Sequence, residues 1–308
     1  MRVFESLKAG DVIGVIALSA ACEPGRFDRG IRALESYGFR TKVVLDPAEY
    51  YGSKAFLFSS AAAIDRAEGL SDLYRDSEVR AILAARGAYG CMEILPHLDF
   101  KELSKHPKPL IGFSDVTALL LALYHRTELP LIHGPTLEST FSKSSLDPEY
   151  QKSAESLVGL LRGDGAHDRA TPLRLISGNG NESLGPLIGG NLTLVTSLLG
   201  SEWDPSFDGH ILFLEEIGEQ PYRVHRELLK LKLAGKLSGL RGVLLGQFTA
   251  CEHAKKLGPT CEEAIQDIFK DCNYPVYGFG EFGHVAANLP LCLGQIARLS
   301  PRGVEYPE

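Results

Sequence analysis

Two hydrophobic periods take turns along the first half of the chain. Val12–Leu18 is a continuous apolar run, as expected of a strand buried on both faces. Phe27, Ile31 and Leu34 then recur at helical spacing, and Thr41–Leu45 reads as a short strand. Ala61–Tyr74 reads as a helix and Val79–Ala84 as a strand that runs into the loop Arg86-Gly87-Ala88-Tyr89-Gly90. Leu110–Phe113 is a further buried strand, Val116–His125 a helix rich in Leu and Ala, and Leu131–His133 a strand ending at Gly134-Pro135. Strands alternating with helices predict an α/β architecture, with a doubly wound parallel-sheet domain over residues 1–135.

The pattern changes after Pro135. Residues 136–185 are polar, hold one helix candidate at Pro148–Leu161 and end in the turn-rich Ser177-Gly178-Asn179-Gly180-Asn181, so they read as an inter-domain connection. Residues 186–308 predict a smaller C-terminal α/β domain with mixed β-structure. Its elements are a helix starting near Gly190-Asn191, a strand His210–Glu215, a helix Tyr222–Leu233, a strand Gly242–Phe248, a helix Cys261–Phe269 and terminal strands around Val276–Phe279 and Gln295–Leu299. A length of 308 residues agrees with about two domains.

Composition narrows the function classes. With 44% hydrophobic and 23% charged residues the chain has ample core, which excludes a disordered protein. The net charge of −7 argues against a nucleic-acid partner bound through bulk charge. The densest basic stretch, Arg223, Arg226, Lys230, Lys232 and Lys236, has the spacing of a solvated helix face. No apolar run approaches the roughly 18 residues of a membrane span. The six cysteines are scattered without a C-x-x-C pair and read as free, mostly packed thiols rather than metal ligands. Ser19-Ala20-Ala21-Cys22 after an apolar run resembles a lipoprotein signal. Glu5 and Asp11 stand where basic residues belong in such a signal, so a buried first strand is the expected reading.

Three segments carry candidate chemistry. In Ile111-Gly112-Phe113-Ser114-Asp115-Val116 a strand ends and a helix starts at once, a geometry that pushes a serine oxygen out of the sheet edge and frees backbone N–H groups beside it. Ser114 or Asp115 reads equally as a helix cap. Ile211–Glu216 is an apolar strand ending in carboxylates at the sheet edge where open α/β folds keep their sites, or a solvated strand end. Glu281-Phe282-Gly283-His284-Val285 places a histidine after a glycine in a largely apolar loop, as a general base or as a structural imidazole. Ser114, Glu215 and His284 together match the needs of a hydroxyl nucleophile: a base to take its proton and a carboxylate to fix that base. The loop Arg86–Gly90 offers further backbone N–H groups, its glycines fitting neither the dinucleotide nor the P-loop spacing.

At these residues the chain resembles the L,D-carboxypeptidase (muramoyltetrapeptide carboxypeptidase) family of serine peptidases. The resemblance runs along nearly the whole chain. It takes in Gly10-Asp11-Val12-Ile13-Gly14-Val15, Ala85-Arg86-Gly87-Ala88-Tyr89-Gly90, Ile111-Gly112-Phe113-Ser114-Asp115 and His133-Gly134-Pro135. Further along it takes in Gly189-Gly190-Asn191-Leu192, Leu214-Glu215-Glu216-Ile217, Tyr222-Arg223 with Arg226, and Gly283-His284. It implies a triad of Ser114, Glu215 and His284 with the active site between two domains. It also implies an oxyanion hole of backbone N–H groups from Asp115 with Gly87 or Ala88. The implied reaction is hydrolysis of the L,D bond between diaminopimelate and the terminal D-alanine of murein tetrapeptides in peptidoglycan recycling. No metal or cofactor is implied, and the expected setting is a cytoplasmic homodimer whose partner is a murein peptide, not nucleic acid or membrane.

This sequence departs from the family pattern at three places. Ala88 stands where glycine is usual, and Glu216 and His225 stand where aspartates are usual. Of the two adjacent carboxylates, Glu215 aligns with the family's glutamate, and neighbouring strand residues face opposite sides. Arg86 and Arg223 are the candidates for holding a terminal carboxylate. The rival readings are a microcin-immunity-type peptidase acting on peptidyl-nucleotide antibiotics and a catalytically silent peptide-binding protein.

Overall fold

The computed structural model describes residues 4–46, 50–56, 58–164, 171–253 and 258–307. The chain divides into two compact units, Met1–Ala166 with Ala286–Cys292, and His167–Val285 with Leu293–Glu308.

In the first unit the strands are β1 (Val12–Ile16), β2 (Arg40–Val44), β3 (Val79–Ala84), β4 (Leu110–Gly112) and β5 (Leu131–His133). The helices are α1 (Pro24–Ser36), α2 (Ala63–Arg75), α3 (Cys91–Ile94), α4 (Phe100–Leu103), α5 (Val116–Arg126) and α6 (Pro148–Arg162). β1 pairs in parallel with β2 and β3, and β4 in parallel with β3 and β5. Every residue of β1 is buried, which explains its unbroken apolar run. The order β5-β4-β3-β1-β2 reverses direction between β3 and β1, and the carboxyl ends of strands beside such a reversal are where open α/β sheets hold their ligands. Cys22 is fully buried, so this segment after β1 is part of the core.

The expected connection over residues 136–185 takes a different form. Its residues 136–164 pack into the first unit, residues 165–170 lie outside the described residues, and the rest belongs to the second unit. Helix α6 looked polar because only one face is apolar; that face buries Ala154, Leu157, Val158, Leu160 and Leu161. Asp147 caps it through Glu149 N at 2.8 Å, and Gly163 closes it in a left-handed conformation. Ala286–Cys292 also returns to the first unit. Pro290 sits so close to Gly134 that a Cβ there would lie 3.2 Å from it, which accounts for the glycine of His133-Gly134-Pro135.

The second, smaller unit is built from β6 (Arg174–Ser177), β7 (Ser183–Asn191), α7 (Leu192–Ser197), β8 (Ile211–Ile217), α8 (Pro221–Leu233), β9 (Gly242–Thr249), α9 (Cys261–Phe269) and β10 (Val276–Gly278). After β11 (Leu291–Leu293), which lies at the edge of the first sheet next to β5, come β12 (Ile296–Ser300) and β13 (Gly303–Glu305). β7, β8, β9 and β10 run parallel, while β6, β12 and β13 pair antiparallel, giving the mixed sheet β13-β12-β7-β8-β9-β10-β6. A capping box at Thr260 and Glu263 starts α9. The basic positions of α8 and the turn after it are solvated or paired, with Lys230 on Glu227 and Lys236 on Asp204. Among the described residues no helix is long and apolar enough to cross a membrane.

Candidate active site

Ser114 occupies the corner between β4 and α5 with φ of 61°, in the left-handed region that costs an L-residue about 1–2 kcal/mol. A serine held in that conformation on a strand-to-helix turn is the geometry of a nucleophile elbow. The turn is closed by Thr117 N–H donating to Ser114 O at 2.9 Å. Asp115 sits at the N-cap position of α5 yet makes no side-chain cap bond. Its buried carboxylate instead accepts from Ser19 Oγ at 2.6 Å and from Cys91 N at 2.8 Å. These two partners lie far away in sequence, and nothing in the local pattern announces them.

The loop after β3 lies against the same corner. A Cβ on Gly87 would stand 2.9 Å from Ser114 Cβ and 3.2 Å from its Oγ, so only bare backbone fits there. Gly87 O accepts from Ala20 N at 3.4 Å, which turns the N–H of the same peptide group, that of Ala88, the opposite way. The backbone N–H groups of Gly87, Ala88 and Asp115 have no hydrogen-bond partner among the described residues. Ala88 itself has φ of 89°, a conformation suited to the glycine usual at this position. Ala88→Gly is expected to raise stability by about 0.5–1 kcal/mol, since relief of strain exceeds the added freedom of the unfolded chain. A higher urea midpoint at unchanged slope is the measurement that checks it.

Arg86 is half-exposed and engaged: Nη1 donates to Ala21 O at 2.8 Å, and Nε lies 3.6 Å from the buried carboxylate of Glu138. Burial, reinforced by Glu138, pushes the Cys22 thiol far up, so it stays protonated. Glu138 escaped the sequence reading because it lies beyond the last strand of the pattern.

In the second unit Glu215 and His284 meet. Glu215, fully buried near the carboxyl end of β8, accepts from His284 Nδ1 at 2.7 Å. A carboxylate oxygen that accepts this bond places the imidazole proton on Nδ1. The expectation of a solvated strand end does not describe this carboxylate. Gly283 has φ of 106°, and a Cβ there would lie 2.7 Å from Glu215 Oε2, so the glycine before the histidine is what allows the ring to reach the carboxylate. Thr249 Oγ1 fixes the histidine backbone by donating to His284 O at 3.0 Å.

Glu216 is also buried but serves other groups. It accepts from Asn191 Nδ2 at 2.8 Å, Thr193 N at 2.9 Å, Thr193 Oγ1 at 2.7 Å and Ile217 N at 2.8 Å, tying the start of α7 to β8. Burial raises its carboxyl above the ordinary value despite these donors. Neighbouring positions of β8 thus send their carboxylates to different partners, and a register shift against β9 falls at this point. Arg223 is exposed, 3.5 Å from Glu219, and His225 Nε2 lies 3.1 Å from Asp267. Among the described residues no cluster of three His, Cys, Asp or Glu side chains is placed to hold a metal ion.

The serine corner with its glycine loop therefore belongs to the first unit and the carboxylate–histidine pair to the second. The profile of the LD-carboxypeptidase N-terminal domain matches residues 13–134, and that of the LD-carboxypeptidase C-terminal domain matches residues 184–299. The chain belongs to the LD-carboxypeptidase family. This is a carboxypeptidase family of serine peptidases. A relative from Pseudomonas aeruginosa, the murein tetrapeptide carboxypeptidase, is 31% identical over 296 residues, covering 93% of this chain and 92% of the relative. The crystal structure of muramoyltetrapeptide carboxypeptidase from Oxalobacter formigenes superposes with a TM-score of 0.79 at 26% identity, covering 96% of this chain and all of that one. The microcin C7 self-immunity protein MccF, in complex with aspartyl sulfamoyl adenosine, superposes with a TM-score of 0.88 over 100% of this chain and 99% of its own. At 24% identity that likeness speaks for the fold alone.

Proposed function

We propose that this protein hydrolyses the L,D bond between diaminopimelate and the terminal D-alanine of murein tetrapeptides, with Ser114 as nucleophile, His284 as base and Glu215 as its orienting carboxylate. The observation that carries this reading is the 2.7 Å hydrogen bond from His284 Nδ1 to a fully buried carboxylate, which orients the imidazole with Nε2 as the nitrogen for general-base work. Ser114 in its strained corner is the hydroxyl of the family motif.

Ser114 Oγ attacks the scissile carbonyl carbon while its proton passes to His284 Nε2, and Glu215 stabilises the imidazolium. The tetrahedral oxyanion is held by Asp115 N–H and by the N–H of Gly87 or Ala88, where loss of one donor costs about 3–4 kcal/mol of barrier. Collapse expels the amine of D-alanine, which takes the proton from His284. Water then attacks the acyl-serine with His284 again as base, releasing the tripeptide acid and restoring the hydroxyl. The reading places this activity in the cytoplasm, in recycling of peptidoglycan, and in a homodimer. The Glu219-Gln220-Pro221-Tyr222-Arg223 stretch favours the murein substrate over a nucleotide-linked one.

The test is mass spectrometry of murein tetrapeptide incubated with the protein. Tripeptide plus free D-alanine is the expected result. Turnover of an aminoacyl sulfamoyl adenosine with the tetrapeptide left intact would reassign the substrate, and peptide binding without any cleavage would leave a silent binder.

A further inference from the structure

One peptide group beside the serine corner is held at both ends by buried charge. The carbonyl of Gly90 accepts from Arg66 Nη1 at 2.9 Å, and the N–H on the other side of the same peptide, that of Cys91, donates to Asp115 Oδ2 at 2.8 Å. Arg66 is fully buried and Asp115 is 4% exposed. The same two side chains repeat the arrangement one loop away. Arg66 Nη1 also donates to Leu18 O at 2.7 Å, and Asp115 Oδ2 also accepts from Ser19 Oγ at 2.6 Å. The segments following β1 and β3, on either side of the reversal in strand order, are thereby tied together through one cation and one anion.

The remaining contacts make the arginine a rigid fixture. Its Nε donates to Ala61 O at 3.1 Å and its Nη2 to Glu93. A Cβ on Gly90 would lie 2.8 Å from Nη1, so the loop approaches the guanidinium as closely as a glycine permits. A lysine has one compact ammonium and cannot serve carbonyls lying in three directions.

We propose that Arg66 and Asp115 are positioning residues that set the distance between the Gly87–Ala88 backbone and Ser114 by fixing the orientation of the Gly90–Cys91 peptide. This rests on the serine mechanism proposed above. An oxyanion donor acts only where it is preorganised, and the Arg66–Asp115 pair adds a charged brace to a loop otherwise held by Ala20 N–H on Gly87 O and by Arg86 on Ala21 O. Asp115 follows Ser114 directly, so the anion that holds the loop is part of the turn that carries the nucleophile.

The experiment uses Asp115→Ala, Asp115→Asn and Arg66→Lys in the full chain, each tested for folding by circular dichroism. Rates of Ser114 labelling by a fluorophosphonate are read beside kcat and KM for the tetrapeptide. Asp115→Ala and Arg66→Lys are expected to lower both kcat and the labelling rate about 100-fold with KM within about threefold. Asp115→Asn, whose Oδ1 still accepts from Cys91 N–H, is expected to recover most of the loss. Folded Asp115→Ala or Arg66→Lys protein with the wild-type labelling rate overturns the proposal. Failure of both to fold assigns the pair to the fold alone and overturns it equally. A wild-type protein that does not label at Ser114 refutes the serine mechanism, and the proposal falls with it.

Discussion

Ser114→Ala is expected to abolish D-alanine release, by at least about 10⁴-fold and towards 10⁶-fold, while the protein remains folded. Alanine keeps the Cβ that already sits in the left-handed corner, where φ is 61°, so the exchange removes the hydroxyl without changing backbone strain. Ser114→Gly provides an internal control. It should be equally inactive but more stable than Ser114→Ala by about 1 kcal/mol, because glycine adopts this φ without penalty. Activity is read as D-alanine liberated from tetrapeptide, and stability as the urea midpoint. Retained release in Ser114→Ala would mean that the nucleophile lies elsewhere.

Glu215→Gln is expected to lower kcat by about 10³- to 10⁴-fold, with KM little changed. The carboxylate is fully buried, and it fixes the proton on His284 Nδ1. A glutamine amide can donate as well as accept, so it admits the tautomer with the proton on Nε2, where the proposed mechanism needs the base. It also removes the charge that balances the imidazolium. Glu216→Gln is the comparison that separates chemistry from packing. Glu216 holds Asn191, Thr193 and Ile217 rather than the histidine, so that variant should keep kcat within about tenfold while losing about 1–2 kcal/mol of stability. Equal losses of kcat in the two variants would overturn the assignment of Glu215.

The alternation of apolar runs made the first sheet legible, because parallel strands buried on both faces leave largely apolar stretches such as Val12–Ile16 of β1 and Ala81–Ala84 of β3. β7 was illegible for the opposite reason. Its sequence Ser-Leu-Gly-Pro-Leu-Ile-Gly-Gly-Asn contains the residues that lower strand propensity, yet a Cβ on Gly189 would stand 1.8 Å from Phe213 O, so close strand approach selects the glycine. Helix α6 is legible as a helix but not as part of the first unit, since nothing along the chain says which body its apolar face covers. The return of Ala286–Cys292 to the first unit could not be read at all, because its three-residue strand has no period to detect. At the candidate site, motif residues were visible one by one. The partners of Asp115 and Glu216 were not, because they depend on which loops the topology brings to the same strand ends.

The edge strand Leu291–Leu293 has a consequence for biosynthesis. When a ribosome has released the first half of this polypeptide, the flank of β5 still exposes unsatisfied amide and carbonyl groups, since the piece that pairs with them follows only after β6 to β10. An uncovered flank of this kind invites pairing with a neighbouring nascent chain. Fragments ending before Ala286 are therefore poor candidates for soluble expression, and completion of the first body must wait until Ala286–Cys292 has been translated.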